Sequence, residues 1–531
     1  MIEVRDLSLS IHGTPILRDV DLSIAPGQVV GLVGESGSGK SMSALALMDL
    51  LPKGAVTKGH MALDGARLPH GDDKAMCKIR GNRISMIFQE PMTALNPVKT
   101  IGEQVAETLL IHGAASRSDA LRIAGEKLAR VGLPPDRFPL GRYPHELSGG
   151  QRQRVCIAQA IALHPDLLIA DEPTTALDVT TQAQILDLLR DLVAEENMGL
   201  LLITHDLAVV ADMADHVAVM KAGEIVEQGP TEALFRNMSH PYTRQLFEAS
   251  GHQPDRHATG KDAPLLEVRK AVRDYPLPRK TLFAPRATFR AVNGVSFTLR
   301  KGESLGLVGE SGCGKSTLTR AILGLDALQG GEICLNGAPV TPHMAPARRA
   351  GLQVVFQDPY GSFNPRWTVE HIVAEPFHLV GRPADWRAKI RQALEVVGLA
   401  AEAMTRYPHE FSGGQRQRIA IARALILEPE LIVLDEAVSA LDVSVRAQIL
   451  DLLADLQARK GLSYLFISHD LSVVRNITDR VLVMRAGEIV EEGPTEQVFA
   501  DPQHDYTKSL INAAPVIPPA WKEDSDGRAL V

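Results

Sequence analysis

Two short glycine-rich segments offer the clearest chemistry in this 531-residue chain. Residues 34–41 read Gly-Glu-Ser-Gly-Ser-Gly-Lys-Ser, and residues 309–316 repeat them 275 positions later with cysteine at the fifth place. In such a segment the glycines let successive backbone N–H groups turn inward around phosphate oxygens, and the following helix presents its positive N-terminal end. The chain is therefore predicted to have two phosphate-binding loops.

Each loop also supplies a cation and a hydroxyl. Lys40 and Lys315 are expected to reach the β- and γ-phosphates of a nucleotide. Ser41 and Ser316 are expected to place a hydroxyl on Mg²⁺. An apolar run precedes each loop and a helix-like stretch follows it, so a glycine-rich turn that binds nothing is the weaker alternative. The predicted nucleotide-binding residues of the loops are Gly34, Ser36, Gly37, Gly39, Lys40 and Ser41, and Gly309, Ser311, Gly312, Gly314, Lys315, Ser316 and Thr317.

An acidic pair ends an apolar strand in each half of the chain. These pairs are Asp171 with Glu172 and Asp435 with Glu436. At a strand end beside a phosphate loop, the aspartate can reach Mg²⁺ and the glutamate can orient a water for attack on the γ-phosphate. The alternative role, capping the next helix, is less favoured because each pair follows a phosphate loop in the same half.

A histidine ends the next apolar strand in each half. These residues, His205 and His469, are separated by the same 264 positions as the acidic pairs. Phosphoryl transfer depends mainly on positioning and charge stabilisation, so the site needs further donors to the γ-phosphate. A surface imidazole with no such role is the ordinary alternative, and the shared spacing argues against it.

The elements that must position these residues also repeat. The apolar run at 167–170 recurs at 431–434, and helical patterns flank both runs. Near-continuous apolar strands that alternate with helices predict an α/β fold with a largely parallel sheet covered on both faces. Residues 94–143 and 363–407 have helical spacing instead and are predicted to be helical inserts.

The length and the repeat together divide the chain. A chain of 531 residues exceeds what one hydrophobic core usually holds. The polar, turn-rich stretch after residue 250 suits an exposed linker. The predicted divisions are a first domain at 1–250, a linker at 251–264, a second domain at 265–515 and a flexible tail at 516–531.

The composition argues against several kinds of binding partner and cofactor. A net charge of −8, from 56 basic and 64 acidic residues, argues against general polyanion binding, so no nucleic-acid partner is expected. Four cysteines without C-x-x-C spacing indicate neither a disulfide framework nor a zinc site. The chain contains no apolar run of about 18 residues and no signal-peptide pattern at its start. We expect other subunits to supply any membrane spans.

A second segment with anion-binding character lies between each phosphate loop and its acidic pair. Residues 147–151 read Leu-Ser-Gly-Gly-Gln and residues 411–415 read Phe-Ser-Gly-Gly-Gln, and each is expected to open a helix. With the phosphate loops, acidic pairs and histidines, these pentapeptides closely resemble those of the ATP-binding-cassette (ABC) ATPases. The resemblance covers nearly the whole chain, twice, and the Ser-Gly-Gly-Gln signature is highly specific to that family.

That resemblance implies two tandem ABC nucleotide-binding domains, each with a RecA-like P-loop core, a β-subdomain and a helical subdomain. It also implies a head-to-tail pairing, in which each ATP lies between the phosphate loop of one domain and the signature of the other. Asp178 and Asp442 match the family loop that links the two sites across the interface. The signature residues implied in ATP binding are Ser148, Gly149, Gly150 and Gln151, and Ser412, Gly413, Gly414 and Gln415.

The resemblance also implies roles for single residues. The glutamates of the acidic pairs polarise the attacking water, the histidines contact the γ-phosphate, and Gln89 and Gln357 touch Mg²⁺ and relay the nucleotide state to a membrane partner. Neither half lacks one of these residues, so two hydrolytic sites are predicted. Tyr275 fits the place where the family stacks adenine on an aromatic ring. The first half has only Ile11 or His12 there, so weaker ATP binding is expected in that half.

Four further segments indicate a subgroup of the family. Residues 88–97, 356–365, 240–244 and 504–508 look like parts of the ATPases of dipeptide and oligopeptide importers, and the fusion of both cassettes is similar to the Yej-type importers of peptides and microcin C. Apart from the family, the last two segments are only turns that enter helices. Some members of the subgroup bind an iron–sulfur centre through cysteines in the terminal extension. No cysteine follows Cys334 here, so no iron–sulfur cluster is expected.

The implied function is ATP hydrolysis that closes the paired domains and powers import of peptides through two membrane permease subunits, with a periplasmic binding protein delivering the solute. The chain is then expected at the cytoplasmic face of the cell inner membrane as a peripheral protein, with ATP and Mg²⁺ as cofactors. Import of nickel or glutathione is an alternative within the subgroup. A soluble double cassette acting on ribosomes or DNA is more distant, because the joint is short and polar and zinc-type cysteine spacings are absent.

Overall fold

The computed structural model describes residues 1–89, 91–175, 177–256, 262–277, 286–439 and 441–521. Part of the predicted linker and the last ten residues of the predicted tail lie outside these ranges. Within the described ranges, none of the helices combines the length and the apolar character that crossing a bilayer requires.

Strands follow one another in the same order in the two halves. Those of the first half are β1 (Ile2–Ile11), β2 (Thr14–Ile24), β3 (Val29–Val33), β4 (Ala55–Leu63), β5 (Ala66–Arg67), β6 (Ile84–Ile87), β7 (Leu167–Asp171), β8 (Gly199–Ile203), β9 (His216–Lys221) and β10 (Glu224–Pro230). Those of the second half are β11 (Pro264–Pro276), β12 (Thr288–Arg300), β13 (Ser304–Val308), β14 (Gly330–Leu335), β15 (Ala338–Pro339), β16 (Leu352–Val355), β17 (Leu431–Asp435), β18 (Ser463–Ile467), β19 (Arg480–Arg485) and β20 (Glu488–Pro494).

Helices fill most of the connections. Those of the first half are α1 (Lys40–Leu47), α2 (Asp73–Cys77), α3 (Pro91–Ala94), α4 (Ile101–Ile111), α5 (Arg117–Arg130), α6 (Gly149–Ala160), α7 (Val179–Glu196), α8 (Leu207–Met213), α9 (Thr231–Arg236) and α10 (Pro241–Ser250). Those of the second half are α11 (Lys315–Ile322), α12 (Pro346–Ala350), α13 (Pro359–Ser362), α14 (Val369–Ala374), α15 (Trp386–Val396), α16 (Gly413–Leu425), α17 (Val443–Lys460), α18 (Leu471–Ile477), α19 (Thr495–Ala500) and α20 (Asp505–Asn512). Short 3₁₀ helices lie at Pro144–Glu146, Glu375–Leu379, Ala401–Thr405, Pro408–Glu410 and Pro519–Trp521.

A six-stranded sheet forms the centre of each half. Its order is β10-β9-β3-β8-β7-β6 in the first half and β20-β19-β13-β18-β17-β16 in the second. The pairs β9–β10 and β19–β20 are antiparallel, and the remaining pairs run parallel. Alternate residues of β8 enter two different hydrophobic clusters, with Leu200 on one face and Leu201 on the other. The predicted parallel sheet with two covered faces is confirmed.

A smaller antiparallel sheet accompanies each central sheet, with the orders β2-β1-β4-β5 and β12-β11-β14-β15. In the first half, β1 turns into β2 through two residues with positive φ, His12 at 48° and Gly13 at 83°, as a tight hairpin requires. The register then pairs Ile11 with Thr14. In the second half the register pairs Tyr275 with Phe289, close to the residues that lie outside the described ranges.

The two predicted inserts are helical, but their helices differ. In the first half, α4 and α5 have 11 and 14 residues and pack against each other and against α6. In the second half, α14 has only six residues and continues as the 3₁₀ helix that contains Pro376. A proline there lacks the N–H that an α-helical hydrogen bond needs, which explains the change of helix type.

The last helix of each half contacts the opposite half. α10 packs against α17, and α20 packs against α7. α10 ends at Ser250 and β11 begins at Pro264, so the predicted linker at 251–264 shares only Pro264 with a regular element, and the division stays a prediction.

Residues 516–521, at the start of the predicted flexible tail, pack against the first half. Ile517 is 9% exposed and belongs to a hydrophobic cluster of the first half. The ring of Trp521 lies 6.0 Å from that of Phe235, and Arg236 Nη1 donates a hydrogen bond to the carbonyl oxygen of Ala520 at 2.8 Å. The flexible tail at 516–531 stays a prediction, while the apolar side chains of Ile517 and Trp521 pack on apolar surface of the first half.

Candidate nucleotide-binding sites

The two phosphate loops follow the same backbone path. Each begins directly after a buried parallel strand and ends at the first residue of a helix, Lys40 or Lys315. The residue before each lysine is a glycine with positive φ, 108° at Gly39 and 114° at Gly314. A Cβ at Gly314 would lie 2.3 Å from the carbonyl oxygen of Ala291. Both the dihedral angle and the space therefore require glycine at this point.

The lysine side chains lie inside their own loops. Lys40 Nζ donates hydrogen bonds to the carbonyl oxygens of Gly34 at 2.8 Å and Glu35 at 2.9 Å, and Lys315 Nζ makes the equivalent bonds at 2.6 and 2.8 Å. Burial lowers the pKa of Lys40, and the negative charge of Glu172 is the largest influence that opposes this. Each loop therefore encloses a poorly solvated cation, which favours an anionic ligand.

The residues predicted to hold Mg²⁺ have suitable donor atoms. Ser41 Oγ donates a hydrogen bond to Asp171 Oδ1 at 3.1 Å, and burial raises the pKa of Asp171. Burial and the charge of Glu436 raise the pKa of Asp435 to about 6. Mg²⁺ takes oxygen ligands, and a nearby cation would favour the ionised form of these buried carboxyl groups. The donor set of the first half, a hydroxyl beside a carboxylate, therefore fits this ion.

Three donors hold the carboxylate of Glu172. Gln89 Nε2 lies 2.8 Å from it, Thr175 Oγ1 lies 3.0 Å away and His205 Nδ1 lies 3.4 Å away. Burial would raise the pKa of Glu172, but the hydrogen bond and charge of His205, with the other donors, lower it to about 2. The group is thus an ionised acceptor at neutral pH, which a residue that orients water requires.

The second half repeats the glutamate–histidine contact. His469 Nδ1 lies 3.3 Å from Glu436 Oε1. Burial would raise the pKa of Glu436, but the hydrogen bond and charge of His469 lower it. Glu436 has φ of 51° and Glu172 has φ of 47°, a left-handed conformation that is uncommon for residues other than glycine. The conformation recurs at the equivalent glutamate of each half, as it also does at other paired positions such as Ala222 and Ala486.

A cavity of about 300 Å³ lies beside the second phosphate loop. Phe289 lines it opposite Tyr275, and the first half has Thr14 and Ile11 in the corresponding register. The sequence reasoning missed Phe289, because the pairing of β11 with β12 depends on a register that no local pattern reveals. The full lining is Asp178, Tyr275, Phe289, Ala291, Ser311, Gly312, Gly314, Lys315, Ser316, Thr317, Glu436 and His469.

The two halves meet at their phosphate loops. Asp442 Oδ1 accepts a hydrogen bond from the backbone N–H of Ser36 at 2.6 Å. Asp178 Oδ2 accepts one from the backbone N–H of Ser311 at 3.4 Å. Each aspartate directly precedes a long helix of its own half, α17 or α7. The geometry therefore joins the two predicted linking residues to the opposite loops.

Two glutamates of the phosphate loops also reach across, and the sequence reasoning did not single them out. Thr180 Oγ1 donates a hydrogen bond to Glu310 Oε1 at 2.9 Å, and the hydroxyl of Ser444 donates one to the carboxylate of Glu35. The signal was present in the repeat, because both loops have glutamate after their first glycine.

The signature segments open helices as expected, but they are not among the described residues that line the cavity beside the second loop. Ser148 Oγ accepts a hydrogen bond from the backbone N–H of Gln151 at 3.3 Å and caps α6, and the same arrangement recurs at α16. A Cβ at Gly150 would lie 2.3 Å from Thr181 Cγ2, so the start of α6 packs tightly on the start of α7. Among the described residues, the lining of the second cavity includes Asp178 and not residues 148–151. The composite site of loop and opposite signature stays a prediction.

Comparison with known families agrees with this geometry. Residues 17–175 and 292–439 match the family model described as ABC transporter. The chain belongs to the ABC transporter family. Residues 226–290 and 490–529 match the oligopeptide/dipeptide transporter C-terminal region. The fold of two tandem cassettes, the family and an ATPase activity coupled to transport are thereby confirmed for this ABC protein.

Curated relatives share most of their length with this ABC protein. It is 47% identical to the glutathione import ATP-binding protein GsiA of Salmonella paratyphi A, with 98% of this chain and 90% of that protein covered. It is 48% identical to the peptidoglycan transport ATP-binding protein YejF of Agrobacterium fabrum, with 97% and 96% covered. The solved structure of cbiO1 from Clostridium perfringens, part of the ABC transporter complex cbiONQ, is 26% identical and covers 45% of this chain and 92% of its own, with a TM-score of 0.40.

Proposed function

We propose that this chain is the fused ATPase subunit of an importer for peptides and that it hydrolyses ATP at both of its sites. The observation that carries the proposal is the reciprocal contact between halves, in which Asp442 and Asp178 bind the phosphate loop of the opposite cassette. Each loop has its own acidic pair and histidine, so neither half lacks a group that hydrolysis needs.

At each site the loop lysine and the backbone N–H groups bind the β- and γ-phosphates. Mg²⁺, when bound, neutralises charge on the phosphate oxygens. Its protein ligands in this proposal are Ser41, Gln89 and Asp171 in the first half and Ser316, Gln357 and Asp435 in the second. The ionised carboxylates of Glu172 and Glu436 accept a hydrogen bond from the attacking water and orient it, while the paired histidine donates to the γ-phosphate.

In this proposal, ATP binding brings the Ser-Gly-Gly-Gln signature of the opposite half into contact with each phosphate loop and so completes the site. The residues assigned this role are Ser148, Gly149, Gly150 and Gln151 for the second loop, and Ser412, Gly413, Gly414 and Gln415 for the first. The helix dipole at the start of α6 or α16 favours a phosphate there. Closure would then be relayed through the exposed Gln89 and Gln357 to membrane permeases, and hydrolysis would reopen the pair.

We infer the transported solute from the similar proteins, because the nucleotide-binding sites carry no information about it. GsiA is a glutathione import protein and YejF a peptidoglycan transport protein, and both are similar to this chain over nearly its whole length. We therefore propose a peptide or a peptide-containing compound, with glutathione as the second candidate because of GsiA. Two permease subunits and a periplasmic binding protein would complete the importer at the cytoplasmic face of the inner membrane.

Single substitutions test the claim of two hydrolytic sites. Glu172→Gln and Glu436→Gln should each reduce hydrolysis at the changed site by about 10²- to 10⁴-fold, the usual contribution of a general base. Glu126→Gln is the control, since Glu126 forms an exposed ion pair with Arg122 away from both loops. ATPase activity would be measured on the complex with its permeases in liposomes. Full activity in either mutant would mean that the two sites do not both hydrolyse ATP.

The same liposomes test the solute. We expect an oligopeptide delivered with the cognate binding protein to stimulate ATPase activity, and stimulation by glutathione alone would select the second candidate. If no permease copurifies and the chain sediments with ribosomes, the transport proposal is wrong.

A further inference from the structure

The terminal extension of each half contacts the phosphate loop of the same half. Tyr242 lies in the first turn of α10, and its hydroxyl accepts a hydrogen bond from the backbone N–H of Glu35 at 3.1 Å. Tyr506 lies in the first turn of α20, and its hydroxyl accepts one from the backbone N–H of Glu310 at 3.0 Å. The tyrosines are 3% and 5% exposed. The same contact is thus built twice, across about two hundred residues of chain.

Neighbouring groups fix the position of each tyrosine. Lys221 Nζ lies 4.5 Å from the centre of the Tyr242 ring, and Arg485 Cζ lies 5.0 Å from that of Tyr506, so each ring has a cation on its face. His240 Nδ1 accepts a hydrogen bond from the backbone N–H of Tyr242 at 3.1 Å and caps α10. Burial raises the pKa of Tyr242 to about 12, so its hydroxyl is neutral at physiological pH.

The next residue of the same loop is held from the opposite half. The N–H of Ser36 donates to Asp442, which directly precedes α17, and α17 is the helix on which α10 packs. Leu246 of α10 and Val443 of α17 line one small cleft together with Glu35. The phosphate loop thus contacts Tyr242 of α10, α10 packs on α17, and Asp442 before α17 contacts the same loop.

The second half has the matching set of contacts. The N–H of Ser311 donates to Asp178 before α7, and α20 packs on α7. Val179 of α7 lies in one hydrophobic cluster with Tyr506 and Leu510 of α20. In both halves, the extension that begins with the tyrosine rests on the helix whose first residues bind the loop.

We propose that Tyr242 and Tyr506 are positioning residues for ATP binding: each holds the second residue of its phosphate loop while the opposite half holds the third. Two consecutive N–H groups then have fixed partners, one from the extension and one from the other cassette. The packing of each extension on the opposite half thereby controls the conformation of the loop that binds ATP. This inference rests on the proposed role of the two loops.

Replacing tyrosine by phenylalanine removes only the hydroxyl and keeps the ring under its cation. The half-buried N–H of Glu35 or Glu310 then loses its partner, and the loop must be ordered by ATP itself. Losing one such hydrogen bond corresponds to a change of about three- to tenfold in an equilibrium constant. We expect Tyr242→Phe with Tyr506→Phe to raise the KM for ATP by that factor and to change kcat by less than twofold.

A buried tyrosine elsewhere supplies the matched control. Tyr464 donates a hydrogen bond to the carbonyl oxygen of Leu453 at 3.0 Å, in the core and away from both loops. Tyr464→Phe also loses one tyrosine hydroxyl, so it should lower the Tm and leave the KM for ATP unchanged. Steady-state ATPase kinetics and thermal unfolding of the full chain would be measured for all variants.

The outcomes separate a positioning role from a structural one. An increased KM with a Tm within about 2 °C of the wild type supports the proposal. An unchanged KM in the double phenylalanine variant overturns it, as does an increase in KM that Tyr464→Phe reproduces. Adding Asp442→Ala to Tyr242→Phe should give less than the product of the two single effects, because both act on one loop.

Lys40→Ala combined with Lys315→Ala distinguishes this inference from the function on which it rests. If the lysine variant still hydrolyses ATP normally, the proposed loops are wrong. If it is inactive while the phenylalanine variant behaves as wild type, only the role of the tyrosines is wrong.

Discussion

The packing of the C-terminal segment on the first half leads to a quantitative prediction. Ile517 lies in a cluster with Phe235, a residue with no exposed surface, and Trp521 lies against the same ring. Truncating a buried isoleucine to alanine costs about 2 kcal/mol at the low end of the core range, which suits a segment at the surface. The tryptophan and its aromatic contact add about 1–2 kcal/mol. The double variant Ile517→Ala with Trp521→Ala should therefore destabilise the first half by about 3–4 kcal/mol.

Thermal unfolding would measure this effect. For a domain of about 250 residues, 1 kcal/mol corresponds to about 2–4 °C in Tm. The Tm for unfolding of the first half should therefore fall by about 6–16 °C. Val516→Ala is the matched control, because Val516 belongs to the same segment and is 69% exposed. Limited proteolysis should also cut the double variant earlier near its C-terminus. A Tm equal to that of the control would refute the reasoning, since the segment would then not be packed in solution.

Two further predictions concern the sites. The pKa of His469 is raised, because the hydrogen bond and charge of Glu436 outweigh burial, and that of Glu436 is lowered. The pair should stabilise the fold most between about pH 4.5 and 6.5, with the contribution of His469 lost as pH rises through its raised pKa and that of Glu436 lost at lower pH. The Tm difference between wild type and His469→Gln should therefore shrink above pH 6.5, and a difference that grows there would contradict the assignment. Gly414→Ala would place a Cβ 2.3 Å from Val445 Cγ1, so it should cost about 1–3 kcal/mol by overpacking and reduce ATPase activity, whereas Gly413→Ala, where a Cβ meets nothing within 4 Å, should leave the Tm unchanged.

Much of each site was predictable because its parts are local. The loop glycines, the strand that precedes them and the helix that starts at Lys40 follow from residue types within ten positions of one another. The acidic pairs and histidines were located by the apolar strands that they end, and the parallel sheet then puts these strand ends side by side. The helical inserts also followed from local spacing, although Pro376 changed the helix type in the second half.

Contacts that depend on register or on packing between distant segments could not be predicted in this way. The position of Phe289 opposite Tyr275 depends on the alignment of two strands, and a shift by one residue would turn the ring to the other face. The packing of Trp521 on Phe235 was missed because a short segment rich in proline and polar residues looks flexible until its apolar surface partner is known.

Two phosphate loops, two acidic pairs and two signatures can be read directly from the residues, since each is a short pattern with its own backbone requirement. The way in which the two copies contact each other is visible only once the chain is folded. Asp442 reaches Ser36 of the opposite half, and Tyr242 reaches Glu35 of its own half, where α10 packs on α17. That packing depends on the shapes of surfaces assembled from distant parts of the chain.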